Sequence, residues 1–264
     1  MARVLITGCS SGFGRATALE LKGRGHEVVA TARRPDTIAD LDVDVRLALD
    51  VTDDASVAAA LAAAGDIEAL VNNAGVSVGG PVEKVPVDEV RRLFETNFFG
   101  VLRVTQAVLP PMRARGTGTI VNVSSVSGRV AQPLSGFYAA SKFALEALSE
   151  ALHYEAGHFG IRTVIVEPGY FKTNLGDSRR EFGVDGPPYD ELRTLTMEMA
   201  NRLGRGDAPG PELVARAIAD AIESDAPALR IPVGEMAEMV MAARGSMDDA
   251  AFEAAMRATL DLTW

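Results

Sequence analysis

A single cysteine, Cys9, leaves the chain with no intrachain disulfide, so its fold rests on burial and hydrogen bonding alone. Its three histidines, His26, His153 and His158, show no metal-ligand spacing; all three are expected at the surface or at helix ends, and no metal site is expected. Basic residues are outnumbered, 26 Lys and Arg against 36 Asp and Glu, for a net charge of -10. That balance argues against a nucleic-acid partner, whose phosphates must be neutralised by cations. No charge-free run of about twenty apolar residues occurs, so no segment is expected to span a membrane. Met1 leads straight into a strand-like Arg3-Val-Leu-Ile6 without a signal-peptide pattern, and the expectation is a soluble, cytoplasmic protein. Repeats and linkers are also missing, which predicts one domain over residues 1–264.

What the chain has is an alternation of short β-branched runs and helical segments. Val4-Leu-Ile6, Glu27 to Arg34, Val45 to Val51, Ala69 to Asn72, Gly118 to Val123, Arg162 to Glu167 and Ala228 to Gly234 read as strands. Helical patterns lie between them, including an alanine-rich stretch from Asp53 to Ala64, capped by Thr52 or Asp53, and a helix from Phe137 to about Gly160. Val87 to Arg115 reads as one long periodic segment, broken late by Pro110-Pro111. Pro232 marks the last strand as an edge. The class is α/β: a parallel sheet with helices on both faces, which binds ligands at the carboxyl ends of its strands.

The first strand runs into Thr7-Gly8-Cys9-Ser10-Ser11-Gly12-Phe13-Gly14 and then a helix. Such a turn presents backbone N–H groups at a helix N-terminus, where the dipole favours a phosphate, and its glycines permit close approach of a pyrophosphate. At the end of the second strand Ala32 stands where an acid would hold a ribose 2′-hydroxyl, and Arg33 and Arg34 follow. Arginine there accommodates the 2′-phosphate of NADP, so NADP(H) is expected in preference to NAD(H). The alternative is a solvated loop before Pro35. Asp50 ends the third strand in reach of an adenine. Asn73-Ala74-Gly75 lets the backbone pass close to a ligand. Pro168, Gly169 and Thr173 lie at the same edge after the sixth strand, and Thr173 is placed to bond a phosphate.

Tyr138 and Lys142 are four residues apart on the Phe137 helix, hence on one face. An ammonium near a phenol favours the phenolate and is expected to draw its pKa down from about 10. Ser125, at the end of the fifth strand, supplies a hydroxyl to the same spot. Asn97, among apolar neighbours, is either a structural amide or the holder of a water that passes protons.

Thr7-Gly-x-x-x-Gly12-x-Gly14, Asn72-Asn-Ala-Gly75, Asn97, Ser125, Tyr138-x-x-x-Lys142 and Pro168-Gly169 together resemble the short-chain dehydrogenases/reductases, over about residues 1–175 and a final helix and strand to 234. The resemblance implies a single Rossmann-like doubly wound domain with seven strands in the order 3-2-1-4-5-6-7. It implies an oxidoreductase with Tyr138 as general acid or base, Lys142 holding the nicotinamide ribose, Ser125 polarising a carbonyl and Asn97 supporting a relay water. Cofactor contacts by Asp50 and Val51 at adenine, by Asn73, Ala74 and Gly75 along the ribose, and by Phe171 and Thr173 near the carboxamide and pyrophosphate belong to the same implication. So does a homodimer or homotetramer formed through the Phe137 helix. One departure stands out: Ser11 occupies a position where relatives without the acid sometimes carry a base, leaving Arg33 and its neighbours to select NADP. The strand Arg230-x-Pro232-x-Gly234 is similar to relatives acting on bulky steroids and retinoids.

The expected substrate is a ketone or secondary alcohol. Residues 174–211 lose the periodic pattern and are expected to form a substrate loop, with 235–264 a C-terminal extension whose methionines fill core or interface. Two other readings are a sugar-nucleotide epimerase-like enzyme, which shares the Tyr–Lys pair, and a non-catalytic NAD(P)-sensing regulator.

Overall fold

The computed structural model describes residues 1–177 and 179–262. Seven parallel strands form the sheet: β1 (Arg3–Ile6), β2 (Glu27–Ala32), β3 (Val45–Ala48), β4 (Ala69–Asn72), β5 (Gly118–Val123), β6 (Ile161–Pro168) and β7 (Arg230–Val233). Their order is β3-β2-β1-β4-β5-β6-β7, a Rossmann-like arrangement as the resemblance implies. The order reverses between β1 and β4, and the strand ends on either side of that point carry the site residues.

Alternation along each strand feeds two cores. Val4 and Ile6 face one side with Val28 and Ala30, packing on Leu21 of the helix Gly12–Gly23 and Ile218 of the helix Glu212–Glu223. Leu5, Val29 and Leu70 face the other, against Val57, Val104 and Leu152 of three further helices. Both faces are therefore apolar, as a parallel sheet requires. Polar residues within the sheet are paired. Asn72 and Asn122 stand opposite one another in register, and Asn72 Nδ2 donates to Asn122 Oδ1 at 2.9 Å and to Thr105 Oγ1 at 3.0 Å. Asn122 Nδ2 in turn donates to Ser149 Oγ at 2.8 Å, tying the sheet to the helix that carries Tyr138.

The segment Val87 to Arg115 differs from the expectation. It forms two helices, Val87–Phe94 and Gly100–Arg115, joined by a π turn over Glu95–Phe99, and the prolines do not end the second. The carbonyls they leave unbonded belong to Gln106 and Ala107, which are exposed like Pro110 and Pro111 themselves, so water satisfies them. The buried face, Val104, Val108 and Met112, continues past the prolines. Met112 packs against Gly118 and is fully buried; Met112→Ala is expected to lower unfolding stability in urea by about 2–5 kcal/mol.

His26, expected at the surface or at a helix end, follows the end of the helix Gly12–Gly23 but is buried at 6 % exposure: its Nδ1 accepts from the Ala2 amide at 3.3 Å and its Nε2 lies 3.1 Å from Glu223 Oε1. These two polar partners make burial tolerable. A two-residue pairing, Val78–Gly79 with Arg180–Glu181, joins the stretch after β4 to the irregular segment and is too short to leave a periodic signal. That segment also carries the helix Asp190–Arg202. Helices Glu235–Ser246 and Asp249–Leu260 follow β7, and the C-terminal extension expected to run to Trp264 ends outside the described residues.

Candidate active site

The glycine-rich turn is clamped by β4. Thr7 Oγ1 accepts from the Asn73 and Ala74 amides at 2.9 and 3.0 Å, and Asn73 Nδ2 donates to the carbonyls of Thr7 and Gly8 at 2.9 and 3.1 Å. Gly8 has φ +76°, and a Cβ there would stand 2.9 Å from Ala74 Cα. A Cβ on Gly14 would collide with Asn73 Nδ2 and stand 2.5 Å from the Gly8 carbonyl oxygen. Gly14→Ala is therefore expected to weaken dinucleotide binding at least tenfold by breaking the clamp, read by quenching of NADPH fluorescence. Cys9 sits inside the turn, fully buried, its thiol pushed up to about 12 by burial and so kept protonated.

A cavity of about 440 Å³ opens along the carboxyl ends of β1, β2, β4 and β5. Gly8, Ser10, Ser11, Gly12 and Phe13 line it from the turn, and Asn73, Ala74 and Gly75 from the end of β4. Arg33, Asp50 and Val51 line it on the β2–β3 side, and Tyr138, Lys142 and Thr173 at the other end. Asp50 is oriented by Thr52, whose amide and hydroxyl donate to its Oδ1 at 3.0 and 2.8 Å. Thr173 lies over the helix start, its Cβ 3.4 Å from where a Gly12 Cβ would be. The first-turn amides of the Gly12–Gly23 helix have no partners within the helix. Arg33 is exposed and has no ion-pair partner among the described residues.

Other predicted residues stand back from this lining. Gly14 and Phe171 act from behind it, Gly14 in the clamp and Phe171 edge-on to Phe13 with ring centroids 5.5 Å apart. Pro168 ends β6 opposite Val233 and Gly169 follows, its amide donating to the Val233 carbonyl at 3.1 Å, while Arg34 is exposed and outside the cavity wall. Asn97 is 1 % exposed in the π turn: Oδ1 accepts from the Val76 amide at 2.9 Å, and Nδ2 donates to the Val76 carbonyl at 3.0 Å and Ser141 Oγ at 3.1 Å.

Tyr138 and Lys142 occupy one face of the helix Gly136–Gly157, as their spacing requires. The electrostatics differ from expectation. Burial pushes the Tyr138 phenol up to about 12, with hydrogen bonding to Ser125 and the charge of Arg179 opposing it. The Lys142 ammonium donates to the Val123 carbonyl at 2.8 Å and lies 5.9 Å from the centroid of the tyrosine ring. Desolvation outweighs the Ser125 hydrogen bond and the Arg179 charge, so the phenol holds its proton at neutral pH rather than losing it. Lys142 is itself lowered to about 8 by burial, with Glu146 opposing. Ser125 caps the short turn Val126–Gly128 by accepting from the Ser127 amide at 3.1 Å, which fixes its rotamer.

Several residues in or near the site were not singled out by sequence reasoning. Arg92 on the helix Val87–Phe94 and Thr96 in the π turn beside Asn97 line the cavity four residues apart, a spacing that was there to be read. Arg179 enters from the irregular segment, donating to Ser135 Oγ at 3.1 Å and to the Leu134 carbonyl at 2.6 Å. No sequence signal marks it, because the contact depends on the Val78–Gly79 pairing. Leu134 takes φ +60°, a left-handed strain. Its carbonyl holds both Arg179 and the Gly80 amide.

This fold and this site define a short-chain dehydrogenase. The chain belongs to that family: the short chain dehydrogenase family model matches residues 2–182. It is 38 % identical over 249 residues to a 3-ketodihydrosphingosine reductase of Bacteroides thetaiotaomicron, covering 90 % of each chain. It is 36 % identical over 276 residues to the uncharacterized oxidoreductase YusZ of Bacillus subtilis, covering 97 % of each. A short-chain dehydrogenase from Streptomyces avermitilis superposes with a TM-score of 0.83 at 36 % identity, over 99 % of this chain and 98 % of that one. One from Burkholderia cenocepacia in complex with NADP gives 0.79 at 26 % identity, over 97 % of each. A 3-ketoacyl-(acyl-carrier-protein) reductase from Brucella melitensis complexed with NADH gives 0.77 at 26 % identity, over 89 % of this chain and 98 % of that one. The chain is thus a short-chain oxidoreductase, and these neighbours support a nicotinamide cofactor. Among the described residues no helix is long and apolar enough to cross a membrane, and no His, Cys, Asp and Glu group has the makings of a metal site.

Proposed function

We propose that this chain interconverts ketones and secondary alcohols with NADP(H), in preference to NAD(H). The observation that carries the reading is Tyr138, partly buried, hydrogen-bonded to Ser125 and one helical turn from Lys142, lining the same cavity as Arg33. The residues present fit a dinucleotide: the bare Cα positions of Gly8 and Gly14 permit backbone approach, and the helix N-terminus favours phosphate. Ser10, Ser11, Gly12 and Phe13 would hold the pyrophosphate with Thr173, Asp50 and Val51 the adenine, Arg33 the 2′-phosphate, and Asn73, Ala74, Gly75 and Lys142 the riboses. When bound, the nicotinamide supplies or accepts the hydride.

The protein's own part is proton handling and orientation. In reduction Ser125 holds the substrate oxygen and Tyr138 gives it a proton; in oxidation Tyr138 takes that proton back. Asn97 keeps the Ser141 turn of the catalytic helix fixed against Val76, so its role here is positional. A bulky apolar substrate body is favoured by the cluster around Val126, Val130 and Met236 next to Ser125, with Tyr170, Met241 and Phe252 packed on it. The Bacteroides relative, whose name specifies a keto substrate, points the same way. Residues 174–211 and 235–264 then serve as substrate loop and cover of one catalytic domain. Phe143, 45 % exposed on the Gly136–Gly157 helix, supports association into a dimer or tetramer. Incubation with NADPH and a panel of hydrophobic ketones, followed at the nicotinamide absorbance, tests the reading; a chain that binds NADPH and reduces none of them contradicts it.

A further inference from the structure

Behind Lys142 lies a buried carboxyl pair with no part in the chemistry above. Glu146 follows Lys142 by one turn of the helix and is 5 % exposed; Glu167, at the end of β6, is 1 % exposed. They converge on one nitrogen. Arg230 Nε is 3.0 Å from Glu146 Oε2 and 3.9 Å from Glu167 Oε1, and Arg230 Nη2 reaches Glu150 Oε2 at 2.6 Å. From the other side Arg129 Nη1 stands 3.4 Å from Glu167 Oε1. The charged groups facing the pair are thus Lys142 and Glu150 on the helix, Arg230 on β7 and Arg129 after the turn Val126–Gly128.

Two atoms here lack partners: Glu146 Oε1 and Ser124 Oγ. Both lie against the bare Cα of Gly128, where a Cβ would stand 3.2 Å from the first and 2.7 Å from the second. Ser124 also lines the cavity that Lys142 lines. Burial first, and Glu146 second, raise Glu167 from the usual 4.5 to about 7, against the two arginines.

We propose that Glu146 and Glu167 are positioning residues for Lys142, a buried carboxyl pair in which Glu167 takes up and releases a proton and so sets the negative charge behind the ammonium. The proposal rests on Lys142 belonging to the reacting site. While the pair holds its proton, the ammonium stays on the Val123 carbonyl, on the Tyr138 side. Once the proton leaves to solvent, a second carboxylate draws the ammonium back along the helix. Only O–H bonds form or break in this exchange.

The test compares the wild-type chain with Glu167→Gln, Glu146→Gln and Arg129→Gln across pH. Wild-type ketone reduction is expected to fall about tenfold from pH 6 to pH 8, following loss of one proton near neutrality. Glu167→Gln flattens that fall. Arg129→Gln, which takes a cation from Glu167, moves it to higher pH; Glu146→Gln, which removes a carboxylate neighbour, moves it lower. Unfolding stability gives a readout without turnover. The folded pair keeps a proton that the unfolded chain has released, so wild-type stability falls as pH rises from about 4.5 to about 7, and Glu167→Gln loses that slope. A pH profile that stays in place while rate and melting temperature drop in all three variants overturns the proposal, as does an unchanged stability slope. If the wild-type chain reduces no ketone, the functional reading fails separately, and the stability slope with the pH dependence of NADPH binding still decides the carboxyl pair. Arg129 is partly exposed, so its variant keeps the test open should Glu167→Gln not fold.

Discussion

Tyr138→Phe is expected to slow ketone reduction by about 10²–10⁴-fold, the range that general acid catalysis supplies, with NADPH binding nearly unchanged. The phenylalanine fills the same volume, packed with Val76 and Phe137 beside Val78, and removes only the hydroxyl that meets Ser125. The electrostatics add a direction. A phenol held near 12 by burial is fully protonated at neutral pH, so the acid form needed for reduction is present throughout the working range. Oxidation needs the base form, whose fraction grows about tenfold per pH unit below that pKa. The alcohol-oxidising rate is therefore expected to climb with pH past neutrality, while reduction shows no limb from Tyr138 there. Retained turnover in the Phe variant would remove Tyr138 from the chemistry altogether.

Arg33→Ala carries the second large effect. One charge-assisted hydrogen bond to a phosphate is worth about 1.5–3 kcal/mol, or about ten- to hundredfold in affinity. The loss should fall on NADPH and leave NADH nearly untouched, because only the former carries a 2′-phosphate. The geometry allows this: Arg33 lines the cavity, and Ala32 beside it offers no acid to hold a 2′-hydroxyl. Arg34 lies outside the cavity wall, so Arg34→Ala should change neither affinity by more than a small factor. Equal losses for both nucleotides in the Arg33 variant would make the arginine a general electrostatic contact rather than a selector.

The sheet was legible because parallel strands buried on both faces are written as uninterrupted apolar runs, as in Val4-Leu5-Ile6 and Ala69-Leu70-Val71. The turn at Gly8 to Gly14 and the Tyr138–Lys142 pair were legible because each needs fixed spacing on one element. What stayed hidden depends on contacts between distant segments. The Tyr138 phenol was expected to fall and instead rises, since a periodic pattern places Lys142 on the right face but says nothing about how deeply the pair is desolvated. Glu146 repeats the spacing, four residues past Lys142, yet on sequence alone it reads as a solvated helix position. Only β6 and β7, arriving from residues 167 and 230, turn it into half of a buried pair. Arg179 and the strained Leu134 are of the same kind, defined by a two-residue pairing that has no periodicity. Pro110 and Pro111 misled in the opposite sense, because on an exposed helix face water satisfies the carbonyls they leave unbonded.

The most direct measurement is NADPH consumption by the wild-type chain with a hydrophobic ketone, with the alcohol product quantified alongside. One alcohol formed per NADPH oxidised, with far less from NADH at the same concentration, is the predicted result. Tight NADPH binding with no oxidation across hydrophobic and polar ketones, and no reverse reaction with the matching alcohols, would contradict it and leave a nucleotide-binding protein without the proposed chemistry.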